Sequence, residues 1–561
     1  MIRYRLNCKN QLPYHIEVEV TFTAHQDHIN AIIPFWRPGR YEPGNFARNF
    51  IGLKATTNGM PLDSRKTSSN VLEIKAAKGK EVVISYQLYS RELTAGNTYF
   101  DGELLLINPV NACIYIEGQE DETCSIDVQL DKGWAISTAL RKSGDSLYEA
   151  RDMQHLMDTP IMAAANIDVL KYEVSGIEYF VHIIGGFAGK EQDLINDFAR
   201  FTQQQVEVFG KIPVEEYHFL LILLPHRAYH GVEHENSTVI ILGPANQLDQ
   251  RKQYKELLGV SSHELYHTWN IKYIRPTDWL PYDFTKADFS RLGYLAEGIT
   301  TYMGDLMLWQ SGVFSDEDYF EELATLLKRH RDNEGRFALS LADSSIDTWV
   351  DGYGRGTPRR RISIYVEGAL LAFVCDVWII DATNGRLNLS SAMKMLFERV
   401  SRDQGYTEDQ YWGILEEIAD KPWNELRAKA VDGKGHLEGY VLEAFLMLAL
   451  KLEENDSTQL LENKFGFRLL KQGDKRVVWN IFQGSPAEMA GLWFDDEIMS
   501  INGLEVDEFL KQADSSISSI NIEFVSGFRK RSADLSANGL AYGNQLTINS
   551  GESKLFDFWK N

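Results

Sequence analysis

At 561 residues, 44% of them apolar, the chain is too long for one ordinary core and calls for about two to four domains. A formal charge of −23 lacks the basic footprint that nucleic-acid binding demands and disfavours docking on an anionic membrane. The four cysteines, Cys8, Cys113, Cys124 and Cys375, show no C-x-x-C spacing and read as free buried thiols, although Cys113 and Cys124 could meet across a hairpin. The opening run from Met1 to Asn7 has no apolar signal region, and no stretch reaches the length of a membrane span. The expectation is a cytoplasmic protein with no membrane contact.

Taken in order, residues 1–165 read as an all-β, sandwich-like domain. His15 to Phe22 and Glu81 to Tyr89 alternate polar and apolar residues with period two, and Ala112 to Ile116 reads likewise. Residues 166–455 begin with strand patterns at Ile177 to Ile184 and Tyr217 to Leu224, separated by a helical pattern from Lys190 to Phe209, and then become mostly helical.

Within this second region stands His263-Glu264-Leu265-Tyr266-His267, an H-E-x-x-H. On a helix, positions i and i+4 share a face, so His263 and His267 can aim two imidazole nitrogens at one Zn2+. Glu264 can then reach the water that such an ion activates, as a general base. A third ligand is found farther on, where Leu295 to Leu306 has helical spacing and carries Glu297 near its start. The bottom-up reading is a His2Glu site with one Zn2+ per chain. Asp305, eight residues beyond Glu297, is a candidate for orienting a ligand. Asn270, Lys272 and Arg275 are conspicuous polar residues without an assigned role.

Residues 456–561 return to β. Gly484-Ser485-Pro486-Ala487 followed by Asp496 to Gly503 is a PDZ-like signature, and Lys464-Phe465-Gly466-Phe467 would be its carboxylate-binding loop, holding a peptide or C-terminus as ligand. The tail beyond Arg529 has no firm reading. No internal repeat, phosphate loop or nucleophile elbow competes with the H-E-x-x-H.

The run His263 to Pro276 (H-E-L-Y-H-T-W-N-I-K-Y-I-R-P) resembles the signature of the glycyl aminopeptidase family of zinc metallopeptidases. Pro281-Tyr282-Asp283-Phe284, Glu297-Gly298-Ile299-Thr300 and the segment Pro34 to Tyr41 are similar to further family segments. The resemblance implies a multidomain α+β protein: an N-terminal β domain, a thermolysin-like catalytic domain and a C-terminal PDZ domain. It also implies a preference for small N-terminal residues such as glycine or alanine.

His230-Gly231-Val232-Glu233-His234 resembles the family's G-G-x-E-H, with His230 replacing the first glycine. By analogy with related aminopeptidases, Gly231 and Glu233 would border the substrate, and Glu233 would bind its free amine. Tyr365-Val366-Glu367-Gly368 resembles Y-x-K-G, with Glu367 replacing lysine. Tyr365 is the candidate oxyanion donor. The expectation is a zinc aminopeptidase acting on peptides with a free N-terminus. The competing readings are a zinc endopeptidase with the same site and a catalytically weak scaffold working through its PDZ-like domain.

Overall fold

The computed structural model describes residues 1–9, 11–354 and 356–561. It is a multidomain mixed α/β protein, β-rich at the N-terminal side and helical beyond. In the first region the strand His15–Thr23 buries Ile16, Val18, Val20 and Phe22 and exposes Glu17 and Glu19, as period-two patterning requires. It lies inside an eight-stranded sheet, flanked by the strands Ile2–Asn7 and Glu81–Tyr89. Two four-stranded sheets complete the region. All four cysteines are buried and free.

A five-stranded sheet follows: β1 (Asp168–Val174), β2 (Ile177–Ile184), β3 (Glu216–Leu223), β4 (Ala228–Glu233) and β5 (Ser237–Gly243). Its order is β1-β2-β3-β5-β4. The parallel pair β2–β3 requires a crossover, which helix α1 (Glu191–Phe209) supplies. β3 is apolar and buried along nearly its whole length because it is central, whereas β4 pairs only with β5 and forms an edge. That edge faces the helices.

Helix α2 (Arg251–Tyr266) is followed by α3 (Ile299–Gln310), α4 (Asp316–Arg331) and α5 (Ile364–Thr383). α5 is buried on nearly all sides and forms the centre of the helical body. α3 is entered through a wider π turn, Tyr294–Gly298. At the start of α3, Gly298 meets Gly368 of α5 so closely that a Cβ on either would collide with the other's backbone. At Gly304 a Cβ would come within 3.1 Å of the His263 Cα. Small residues at both contacts let α3 press against α2 and α5 at once. Among the described residues, no helix is long and apolar enough to cross a membrane.

The C-terminal unit has its own core, including Phe465, Phe467, Val478, Ile501, Ile522 and Phe524. Its five strands, Phe467–Gln472, Lys475–Ile481, Glu497–Ile501, Ser519–Ser526 and Arg529–Ser536, lie in that order. The tail departs from a self-contained 456–561 unit. Strand Gln545–Asn549 pairs with Lys451–Asn455, and helix Lys554–Lys560 returns to the helical body. There Trp559 is fully buried against Trp309, Tyr319 and Phe373, and its Nε1 donates to the Tyr302 hydroxyl at 2.8 Å. Burial of Phe556 and Trp559 in the core of the helical body gives the return its driving force. Trp559→Ala is expected to destabilise the helical body by about 3–5 kcal/mol while leaving the C-terminal unit folded. Urea denaturation followed by amide exchange would locate the loss.

Candidate metal centre and catalytic cleft

The last turn of α2 carries His263 and Glu264, and His267 follows immediately with helical backbone. The helical spacing turns both imidazoles the same way: their Nε2 atoms lie 3.0 Å apart. His267 points its Nδ1 at the Asn270 carbonyl (2.8 Å), which fixes the tautomer and leaves Nε2 free as a ligand. Asn270 also ties the third candidate in place. Its side-chain nitrogen donates to the carbonyls of Leu295 (3.0 Å) and Ala296 (3.2 Å) and to the Thr300 hydroxyl (3.1 Å). The π turn thus clamped presents Glu297, whose Oε2 stands 3.4 Å from His267 Nε2 and 3.8 Å from His263 Nε2.

A tetrahedral ion bound at about 2.0–2.1 Å needs ligand atoms roughly 3.3 Å apart, so these three fit one. The donor set, two imidazoles and a carboxylate, suits zinc and leaves a position open. Burial and the neighbouring His267 pull His263 well below the ordinary histidine range. Burial also lowers His267, but Glu297, with Glu233 and Glu264 adding to it, outweighs this and raises His267 to about 9.

The residues given candidate roles in the sequence, Gly231, Glu233, His263, Glu264, His267, Glu297, Asp305 and Tyr365, line one cleft of about 1160 Å³. Gly231 and Glu233 come from the edge strand β4, which runs beside α2. The Glu264 carboxylate sits where a Gly231 Cβ would be, so glycine there gives the carboxylate its room. Burial pushes the Glu264 carboxyl well above its usual range, against His267, and the charges of Glu233 and Glu297 push it further. Glu264 Oε2 has no hydrogen-bond partner among the described residues. Tyr365 occupies the first turn of α5, its ring 6.4 Å from that of His263. Burial and the Glu297 charge hold it protonated, able to donate.

The two departures from the family pattern have physical accounts. His230 Nδ1 accepts the Ala95 N–H at 3.2 Å, stitching β4 to the N-terminal region. Burial, with Arg37 and Arg40 nearby, pulls His230 down to about 3, so it stays neutral and can accept. Glu367 is buried and accepts from His330 Nδ1 at 2.7 Å, so α4 supplies the hydrogen-bond donor that a buried carboxyl group needs. Asp305 lines the cleft but makes no hydrogen bond to either histidine among the described residues.

Other contributors were not recognised from the sequence. Tyr41 is buried, and its hydroxyl donates to Glu297 Oε1 at 2.8 Å. The only signal for it was the segment Pro34 to Tyr41, whose other members form the seam: Trp36 Nε1 donates to the Asp283 carbonyl at 2.7 Å, and Phe35 N to the Phe284 carbonyl at 2.8 Å. Lys272 acquires a partner too. Its ammonium lies 2.8 Å from Asp158, which also accepts the Glu235 N–H at 3.0 Å and so holds the turn just after Glu233. Arg275 stacks 4.0 Å from the Tyr282 ring centre.

A helical body whose H-E-x-x-H and following glutamate converge on one point has the make-up of a metallopeptidase. The model of the M61 peptidase N-terminal domain matches residues 3–165, and that of the M61 glycyl aminopeptidase matches residues 256–371. The chain belongs to the M61 glycyl aminopeptidase family and is a metallopeptidase. No curated protein matches it in sequence. Among solved structures it is similar to an aminopeptidase N family protein from Idiomarina loihiensis, at 23% identity with 100% of both chains covered and a TM-score of 0.92. An M1 zinc metallopeptidase from Deinococcus radiodurans is 14% identical, with 77% of this chain and 93% of that one covered and a TM-score of 0.45. A variant of that enzyme bound to a Tyr-Ser-Ala substrate gives 14%, 77%, 94% and 0.49 for the same quantities.

The geometry yields two expectations. Tyr41→Phe, which removes the donor to Glu297, should lower metal affinity about 10–100-fold in a chelator competition titration. Because His267 titrates at about 9 in the metal-free site, it carries a proton at pH 7 that an incoming ion must expel. Metal affinity should therefore rise with pH up to about 9, and the calorimetric binding enthalpy at pH 7 should vary with the ionisation enthalpy of the buffer.

Proposed function

We propose that this metallopeptidase is a zinc-dependent aminopeptidase that removes N-terminal residues from peptides. His263, His267 and Glu297 would hold one Zn2+ per chain. The ion, when bound, supplies the Lewis acidity that makes water a nucleophile near neutral pH and polarises the scissile carbonyl. The remaining work falls to the chain's own groups. Glu264 takes the proton of the attacking water and passes it to the leaving amine; its raised pKa makes it an apt proton acceptor. Tyr365, held protonated, donates to the oxygen on which negative charge develops. Gly231 leaves room for Glu264, and Glu233 receives the substrate's ammonium.

The observation that carries the aminopeptidase reading over an endopeptidase is Glu233. It is only 4% exposed, and among the described residues its carboxylate has neither a hydrogen bond nor an ion pair. A buried carboxylate without a partner is costly unless a cation meets it, and the free amine of a peptide is such a cation. The loop of residues 36–41 closes this end of the cleft: the Glu233 carboxylate lies so near Gly39 that a Cβ there would collide with it. Limited space beside Glu233 accords with the preference for small N-terminal residues, glycine or alanine, that the family resemblance implies.

In the same proposal the middle region is thermolysin-like, and the five-stranded C-terminal unit is PDZ-like, with a peptide or C-terminus as its ligand. Phe467–Gln472 at the edge of that sheet supports this, since an edge strand can accept one more strand.

The test is amino-acid release from unblocked and N-acetylated short peptides, with metal content measured in parallel. Unblocked peptides alone should be cut. Glu264→Gln should lose about 10²–10⁴-fold in kcat while retaining its zinc. Glu233→Gln should raise KM for unblocked peptides about 10–100-fold. Equal cleavage of acetylated peptides would make the chain an endopeptidase. Zinc binding without cleavage of either set would move attention to the C-terminal unit.

A further inference from the structure

Helix α4 forms one wall of the cleft, and near its end Arg329 opens onto the solvent there. Two ion pairs fix how this wall is aligned. Arg251 and Lys255 of α2 meet Asp318 and Glu321 of α4, so the two helices ascend side by side in the same direction. Eight residues beyond Lys255 stands His263, and eight beyond Glu321 stands Arg329. Arg329 therefore comes level with the candidate metal ligands, where Tyr365 also lines the cleft. Its neighbours hold it there: His330 bonds Glu367 in the first turn of α5 at 2.7 Å, and Arg331 pairs with Glu438 at 2.8 Å.

At this level Arg329 is a cation without a counter-ion. Among the described residues its guanidinium has no ion pair and no hydrogen bond, whereas Arg251 and Lys255 are engaged as above and Arg40 pairs with Glu42. Lys252 is also unpaired among them, but it lies three turns before His263, about 16 Å away. The carboxylates of the cleft are directed elsewhere. Glu256 pairs with Arg227, Glu322 with Lys255, and Asp305 is turned toward Glu322 and Lys255. Glu317 lies three turns earlier on α4, about 18 Å away, while Glu233, Glu264 and Glu297 gather on His267. The group that does face Arg329 is Tyr229 of β4. Burial pulls the guanidinium below its usual range, and the Tyr229 hydroxyl offsets part of that.

A guanidinium placed in this way can hold a carboxylate through two parallel hydrogen bonds. Along β4, Tyr229 and Glu233 point to the same side, four residues or about 13 Å apart. A peptide extended beside this strand, with its amine at Glu233, advances about 3.3 Å per residue. The carboxylate of a tri- or tetrapeptide then arrives between Tyr229 and Arg329.

We propose that Arg329 binds the C-terminal carboxylate of the substrate and makes peptides of three or four residues with a free C-terminus the preferred substrates. This rests on the aminopeptidase reading above and on the place it gives the amine.

Amino-acid release by the full-length, zinc-loaded protein from Ala-Ala-Ala and Ala-Ala-Ala-amide tests it. Wild type should cut the free acid with a KM about 10–100-fold below that of the amide, the range expected for hydrogen bonds between charged groups. For a ten-residue peptide the acid and amide should not differ, because the carboxylate then lies beyond Arg329. Arg329→Gln should bring the two tripeptide KM values together, and Arg329→Lys should restore part of the difference. KM does not depend on how much enzyme is folded, so partial unfolding of a variant leaves the comparison intact. Equal KM for the two tripeptides in wild type, or a difference that survives Arg329→Gln or elongation, overturns the proposal and leaves the aminopeptidase standing. A preference for Ala-Asp-Ala-amide over Ala-Ala-Ala-amide that Arg329→Gln removes, with none for the free acid, assigns Arg329 to an acidic side chain and overturns it likewise. If no unblocked peptide is cut, the aminopeptidase reading falls and takes this proposal with it.

Discussion

Three carboxylates, each nearly buried, are gathered around two imidazoles in the wall of one cleft, and much of the structure is organised around managing that charge. Glu233, Glu264 and Glu297 come from an edge strand, a helix end and a π turn. Nothing local would bring them together, since like charges repel strongly at low dielectric. The packing that enforces the arrangement is apolar and close: glycine against glycine where α3 meets α5, and Gly304 against the backbone of His263 where it meets α2. Burial and the neighbouring carboxylates then raise Glu264, while the attraction of Glu297, Glu233 and Glu264 outweighs burial and raises His267. A site with this balance has a standing demand for cations, which metal and substrate amine would share.

The β-rich N-terminal region takes part in this arrangement. Tyr41 bonds the candidate ligand Glu297, Ala95 bonds His230 on the edge strand, and Asp158 anchors Lys272 and the turn after Glu233. The segments around Trp36 and Tyr282 interlock across the same seam. Loss of that region would leave Glu297 without its hydroxyl donor and Glu233 with a loosened strand.

What could be read beforehand follows from how local each signal is. The H-E-x-x-H is a spacing on one helix, so its geometry is written in consecutive residues, and Glu297 lies on the next helical pattern. The alternation of His15 to Phe22 likewise declares a strand directly. Tyr41 could not be assigned because its partner lies 256 residues away, and no periodicity reports such a contact. The puzzle of Glu367 in place of lysine had the same origin, since its partner His330 belongs to another helix. The terminal helix was missed because seven residues are too few for a pattern, and the Gly, Ser and Asn residues before it read as loop. Its Trp559 matters through contacts made far back in the chain.

The central claim is that His263, His267 and Glu297 bind one metal ion. Anomalous diffraction from crystals of the zinc-loaded protein, collected on both sides of the zinc edge, tests it directly. The account predicts a strong peak among His263 Nε2, His267 Nε2 and a Glu297 carboxylate oxygen, at about 2.0–2.2 Å from each. A zinc-loaded crystal with no peak there, or with its strongest peak bound by other residues, would contradict it.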